Sequence, residues 1–259
     1  MLKVIILGTS SALSSSEIDN TYLAITYRNE TILIDCAGSP TYKLLKAGIN
    51  LSSINNIIIT HAHVDHIYGL PSLIHNFWLG KRKKDINIFA NLSTLEIIKN
   101  LIELHQLDKY LSQFKINYQV ILEKENNLFF DNSEISIISS PACHSTPSFA
   151  LKFIYKNNNK TLVYSGDTGP CASVSNLAQS TNMLIHETMC PQGSIDFTLE
   201  THTSALEVGQ IANNCQVDKL ILIHYDQSLL DNINTALNEI RKSYSKEVII
   251  AKEFDCYYL

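Results

Sequence analysis

The 259-residue sequence predicts an α/β protein in four layers, an αββα sandwich with two β-sheets face to face and helices outside. Three observations point there. Apolar, β-branched runs of strand length recur along the whole chain. Segments with helical spacing separate them, sparsely at first and regularly later. No obvious internal repeat and no Pro/Gly/Ser-rich linker divides the sequence. Residues 1–259 therefore read as a single domain, near the size of about 250–300 residues at which one core stops growing.

The strand expectations, in order, are KVIIL (3–7), TYLAITY (21–27), TILID (31–35), NIIIT (56–60), INIFA (86–90), EISIIS (134–139), SFALKFIY (148–155), TLVYSGD (161–167), NMLIH (182–186) and KLILIH (219–224). The first half is strand-rich around one early helix, SPTYKLLKAG (39–48). Helical spacing returns in STLEIIKNLIELHQL (93–107), SALEVGQIANN (204–214) and QSLLDNINTALNEIRKSY (227–244). Ser204 and Glu207 form the sequence pattern of a capping box at the start of the third of these. The run KRKK (81–84) reads as a solvated turn before INIFA, with phosphate contact as its functional alternative.

Composition narrows the class. Hydrophobic residues make up 45% of the chain, enough for a sizeable core, and the formal charge of −5 gives no general attraction to nucleic acid or anionic membrane. The N-terminal MLKVIILGTSSALS is too short in its apolar run for a secretory signal, and no stretch approaches the roughly 18 apolar residues that cross a bilayer. Six scattered cysteines without a CxxC pair suit a reduced, cytoplasmic setting.

The chemistry-bearing residues gather where apolar runs end. NIIIT leads into HAHVDH, EISIISSPAC into His144, TLVYSG into Asp167 and KLILI into His224. Strands ending on one rim bring residues that are distant in sequence into one cleft. Four polar groups packed behind a buried strand would suffer a desolvation penalty of several kcal/mol without partners, so His61, His63, Asp65 and His66 read as metal ligands. Together with His144, Asp167 and His224 they are too many for one hydrolytic zinc ion and enough for two. Spacing along the loop sorts them: His61 and His63 with His144 on one ion, Asp65 and His66 with His224 on the other, Asp167 between. All-nitrogen and oxygen ligation suits two Zn²⁺ per subunit, with Mn²⁺ or Fe²⁺ as alternatives. His75 and His105, on helical faces, read as hydrogen-bonded core residues.

HAHVDH matches the HxHxDH signature of the metallo-β-lactamase superfamily. The likeness runs through GTSSALSSSEIDNT, HIYGLPSL, GDTGPC, HETM, THTSA and LILIHY, and most resembles the tRNase Z and phosphodiesterase branch. That resemblance implies the metallo-β-lactamase fold and a zinc-dependent phosphodiesterase using a metal-bridging hydroxide. The substrate would be the 3′ end of RNA, as for a tRNA-processing endonuclease, or a small or cyclic phosphodiester. It also implies that Asp65 orients the nucleophile and accepts its proton. His202 would protonate the leaving oxygen or hold a phosphate oxygen, with Glu187 as a candidate to orient it, and two subunits would pair. Hydrolysis of a thioester or lactone on the same fold is the competing enzyme class, and a non-catalytic binding module the competing non-enzyme.

Other readings stay open at this stage. Asp35 is a candidate either to fix a ligand imidazole from behind or to cap a turn. Ser10, Ser11, Tyr68 and Tyr225 are candidates to line the cleft. The likeness has one departure: bacterial tRNase Z carries a long arm between the third His ligand and the bridging Asp, whereas His144 and Asp167 are separated here by a hairpin's length of chain.

Overall fold

A computed structural model describes residues 1–193 and 201–259. The chain divides into two compact units, residues 1–122 with 252–258, and residues 123–251 with 259.

The first unit is built on a seven-stranded sheet ordered β14-β1-β2-β3-β4-β5-β6. Its strands are β1 Leu2–Gly8, β2 Tyr22–Tyr27, β3 Glu30–Ile34, β4 Ile54–Ile58, β5 Ile86–Ala90, β6 Ile116–Val120 and β14 Cys256–Tyr258. Pairing is antiparallel from β14 to β3 and parallel from β3 to β6. Four helices accompany it: α1 Pro40–Lys46, α2 Val64–Ile67, α3 Leu70–Leu79 and α4 Leu92–Leu104. The parallel strands β3, β4 and β5 are buried along nearly their whole length, whereas β6 at the edge is not. Ile54, Ile57, Ile86 and Ile88 sit in one buried cluster with Leu70, Leu73, Ile74 and Phe77 of α3 and Leu95 and Ile98 of α4. Each such side chain contributes about 1.5–3 kcal/mol by leaving water.

The second unit holds another seven-stranded sheet, ordered β13-β12-β11-β10-β9-β8-β7. Its strands are β7 Asn127–Asp131, β8 Ile135–Ala142, β9 Ser148–Tyr155, β10 Lys160–Tyr164, β11 Met183–Glu187, β12 Lys219–Ile223 and β13 Glu247–Ile250. They run antiparallel from β7 to β10 and parallel from β10 to β13. Among the described residues it carries helices α5 Ala172–Ala178, α6 Ala205–Asn214, α7 Gln227–Asp231 and α8 Ile233–Arg241. The capping box at Ser204 and Glu207 forms as its sequence pattern requires.

Differences from the sequence reading have local causes. The stretch 227–244 is two helices, broken at Asn232, whose side-chain amide donates to the Ser228 carbonyl at 3.0 Å and competes with the helix backbone. Helix α3 follows the ligand-rich loop almost without a break. KRKK is a turn, but Arg82 inside it is buried. Its guanidinium donates to the carbonyls of Lys84, Leu51, Ile54 and Asp85 at 2.6–3.2 Å, so this cation ties chain to chain. His75 and His105 are not core residues: His75 stacks on Trp78 with ring centres 5.6 Å apart, and His105 is exposed at the end of α4.

Candidate functional site

In the first unit the donor-rich loop leaves the sheet just past β4. Backbone hydrogen bonds from Cys36 N–H to the His66 carbonyl (2.8 Å) and from Gly69 N–H to the Cys36 carbonyl (2.9 Å) stitch it to the segment after β3. Glycine is required at 69 for that approach, since a Cβ would stand 2.8 Å from the Cys36 oxygen.

Behind the loop lies Asp35, fully buried and in the left-handed region at φ 61°. Its carboxylate accepts the Thr60 N–H at 2.8 Å, the Thr60 hydroxyl at 3.0 Å and His66 Nδ1–H at 2.9 Å. Because the Thr60 hydroxyl donates to Asp35, it accepts from His61 Nδ1, 3.0 Å away. One carboxylate therefore sets the tautomer of two imidazoles, one directly and one through a hydroxyl, and leaves Nε2 of each as the lone-pair nitrogen. Burial pushes the Asp35 carboxyl up, against the pull of His66 and Thr60. His61 Nε2 lies 3.0 Å from His63 Nδ1, and His66 Nε2 lies 3.4 Å from Asp65 Oδ2.

The second unit presents its own donors beyond β8, β10 and β12. Asp167 follows Gly166, which has φ 59° and where a Cβ would meet the Phe149 carbonyl at 2.5 Å. His224 follows β12 with φ 54°. Asp167 Oδ2 stands 3.1 Å from His224 Nε2 and 4.0 Å from His144 Nε2, so one carboxylate oxygen addresses two imidazoles. His144 Nδ1 donates to the Thr201 carbonyl at 2.9 Å. Burial lowers the His144 pKa against the opposing charge of Asp167.

Beside this set, Glu187 at the end of β11 is fully buried. Its Oε1 accepts the Thr168 N–H at 2.7 Å and His202 Nδ1–H at 2.9 Å, and Oε2 accepts the Thr203 N–H at 3.2 Å. The His202 ring stacks on His224 with centres 5.6 Å apart and planes 13° from parallel, and meets His144 edge-on at 5.0 Å. Burial works against its charge, but the hydrogen bond to Glu187 and that carboxylate's charge prevail and raise the His202 pKa. Glu187, His202 and His224 offer atoms within 4.8 Å of one another. With Nδ1 of His202 committed to Glu187, the pair is arranged to hold a proton at Nε2.

The structure thus brings His61, His63, Asp65 and His66 together in one unit, and His144, Asp167, His202, His224 and Glu187 together in the other. The donor chemistry fits a divalent cation: nitrogen and oxygen donors at contact distance, with His61, His66 and His144 each fixed from behind by an acceptor, as metal-ligating imidazoles are. Sequence reasoning missed the fixing groups Thr60, Thr168, Thr201 and Thr203, for which the only signal was a threonine beside each motif. Ser10 and Ser11 are buried, and Ser10 Oγ donates to the Leu13 carbonyl at 2.8 Å within its own loop. Tyr225 is buried with its hydroxyl on the Ala251 carbonyl at 2.7 Å. Tyr68 is partly exposed, its hydroxyl donating to Asn20 Oδ1 at 3.1 Å.

Comparison with known proteins gives three likenesses and one family match. The chain is 27% identical to a ribonuclease Z of Methanothermobacter thermautotrophicus, covering 86% of each chain. It superposes on human tRNase Z, short form, with a TM-score of 0.82 and 23% identity, covering 99% of this chain and 98% of that one. The metallo-β-lactamase fold protein YhfI from Bacillus subtilis gives a TM-score of 0.80 at 21% identity over the same shares. The fold is therefore the αββα sandwich of metallo-β-lactamase fold proteins. A family model described as Anti-Pycsar protein Apyc1 matches residues 2–242.

Proposed function

Because the chain belongs to the Anti-Pycsar protein Apyc1 family, we propose that it is a metal-dependent hydrolase of phosphodiesters whose two donor sets act on one substrate as a single catalytic domain. His61, His63 and His144 would hold one divalent ion, Asp65, His66 and His224 a second, and Asp167 both. Zinc is the ion this donor set suits best, with Mn²⁺ or Fe²⁺ as alternatives. Bound ions would supply a polarised phosphoryl oxygen and an activated water near neutral pH. The chain's own residues do the rest. Asp65 accepts the proton of the attacking water. Asp35 keeps His61 and His66 in the tautomers that point Nε2 outward.

The observation that carries the phosphodiester reading is the His202–Glu187 pair, with the His202 ring stacked on His224. A raised imidazole pKa keeps a proton at Nε2 for a departing alkoxide, a role worth about 10²–10⁴ in rate. Thioester hydrolysis releases a thiolate, which has less need of that acid. Two further features favour a small or cyclic phosphodiester over a long RNA. Strands β9 and β10 are joined by a tight turn over residues 156–159, and Arg82 of the basic run is occupied with backbone carbonyls. RNA 3′-end processing is the second reading, supported by the relatives named ribonuclease Z. A cytoplasmic homodimer completes the reading, which size-exclusion chromatography with light scattering would check.

The test is turnover of bis-p-nitrophenyl phosphate, a 3′,5′-cyclic nucleotide, an RNA with a 3′ trailer, an acyl-thioester and a lactone by metal-loaded protein. Cleavage of the two small diesters is expected. Cleavage of acyl substrates alone would overturn the proposal, and fewer than about one ion per chain would point to a non-catalytic module.

A further inference from the structure

Two thiols that neither the fold nor the proposed chemistry uses lie against the segments bearing His144 and Asp167. The Cys143 backbone is bridged to Gly169: Gly169 N–H donates to the Cys143 carbonyl at 2.7 Å, and Cys143 N–H donates to the Thr168 hydroxyl at 3.1 Å. Two residues further on, the Cys171 sulfur lies 3.4 Å from Ser173 Oγ and 3.6 Å from Thr168 Oγ1, the same hydroxyl that accepts the Cys143 N–H, so the two cysteines are neighbours across this bridge. Cys143 is exposed and Cys171 half-buried, so small oxidants reach both.

We propose that Cys143 and Cys171 form a redox modification site, at which hydrogen peroxide closes a reversible disulfide that restrains the two segments carrying His144 and Asp167. The chemistry balances without a further reactant. The Cys171 thiolate attacks one peroxide oxygen, the O–O bond breaks, and the departing hydroxide leaves as water. The Cys143 thiol then attacks the resulting sulfenic sulfur, the S–S bond forms, and the hydroxyl departs as a second water. Two thiols are oxidised and one peroxide reduced. Burial pushes the Cys171 thiol up, but hydrogen bonds from Ser173, the Val174 N–H and Thr168 outweigh it, which favours Cys171 as the attacking group.

The mechanical consequence follows from the placement. Cys143 directly follows β8, and Cys171 is the N-cap of α5, two residues past the bridge at Gly169. A disulfide between them ties the end of β8 to the entry of α5, one residue before His144 and four after Asp167.

The effect on activity rests on the reading of His144 and Asp167 as ligands; the disulfide itself does not. Metal-loaded protein is treated with hydrogen peroxide, alkylated, digested and mapped by mass spectrometry, with bis-p-nitrophenyl phosphate hydrolysis measured before, after and on return to dithiothreitol. The expected result is a Cys143–Cys171 linked peptide pair, removed by dithiothreitol, with activity lower by about tenfold, the scale on which disturbed ligand supports act, and then recovered. Cys143→Ser and Cys171→Ser should each keep their activity through the treatment. Separate alkylation of the two cysteines after peroxide, or pairing with another partner, would overturn the site. A mapped disulfide with unchanged hydrolysis would overturn the restraint on the ligand segments. Reduced protein that never hydrolyses the diester would instead count against the proposed function.

Discussion

His202 Nδ1 sits 2.9 Å from Glu187 Oε1, and that carboxylate is fully buried and held in addition by the Thr168 and Thr203 N–H groups. The arrangement makes Glu187 a positioning residue that raises the pKa of the imidazole in front of it. The sign for activity is fixed. The proposed acid, His202, would work only while protonated, so kcat/KM is expected to fall as pH rises through its pKa. Replacing Glu187 with Gln removes the charge that raised that pKa, so the alkaline limb of the kcat/KM profile moves to lower pH. A limb that stays in place in Glu187→Gln would show that the pair does not set the acid.

His202 itself stands outside the seven proposed ligands. His202→Ala is expected to keep its metal content and to lose activity on a 3′,5′-cyclic nucleotide, whose leaving group is an alkoxide, by about 10²–10⁴. Metal analysis alongside turnover separates this from a ligand defect, and normal turnover would remove the assigned role.

The strand runs and the clustered donors of HAHVDH were legible in the sequence because both leave short-range patterns: β-branched stretches, and polar side chains crowded behind one of them. What supports those donors was not. Asp35 and Thr60 are 25 residues apart and meet only because β3 and β4 pair in parallel. Glu187 reaches Thr168 by the pairing of β10 with β11. Arg82 could not be told from its solvated neighbours Lys81, Lys83 and Lys84, since what distinguishes it is four carbonyls contributed partly by residues 51 and 54. Strands β6, β7, β13 and β14 escaped notice because each is a half-exposed sheet edge, where apolar alternation fades.

Asp35 is the group on which both imidazoles of the first unit depend. Asp35→Asn keeps the shape but offers one acceptor oxygen where three donors converge, so the tautomers of His61 and His66 are no longer both fixed. Metal affinity is expected to fall by about 10–100-fold, read by competition with a chelating dye. Unchanged affinity would show that the imidazoles are held by packing alone.

Arg82 separates stability from catalysis. Removing its guanidinium in Arg82→Ala leaves the buried Ile54 carbonyl without its donor, while the part-buried carbonyls of Leu51, Lys84 and Asp85 can turn to water, a loss of about 1–3 kcal/mol. Urea unfolding should report that loss, while kcat on a cyclic nucleotide stays as in the parent. A variant with unchanged stability but weaker binding of RNA would instead assign this turn to nucleic acid.

Asp167 is the sharpest probe of the ligand map, because one of its oxygens faces His224 at 3.1 Å and His144 at 4.0 Å. If it serves two ions, Asp167→Ala leaves two imidazoles without the anion that offsets the cations' charge. Metal and activity should then be lost together. Asp167→Asn keeps the oxygen without the charge, so it should bind metal more weakly than the parent and more strongly than the alanine variant. That order is checked by metal content after dialysis against graded chelator. Full metal content in Asp167→Ala would mean that this carboxylate serves the fold of its loop, where Gly166 already forces an unusual backbone, and that the ions are held by a different set of donors.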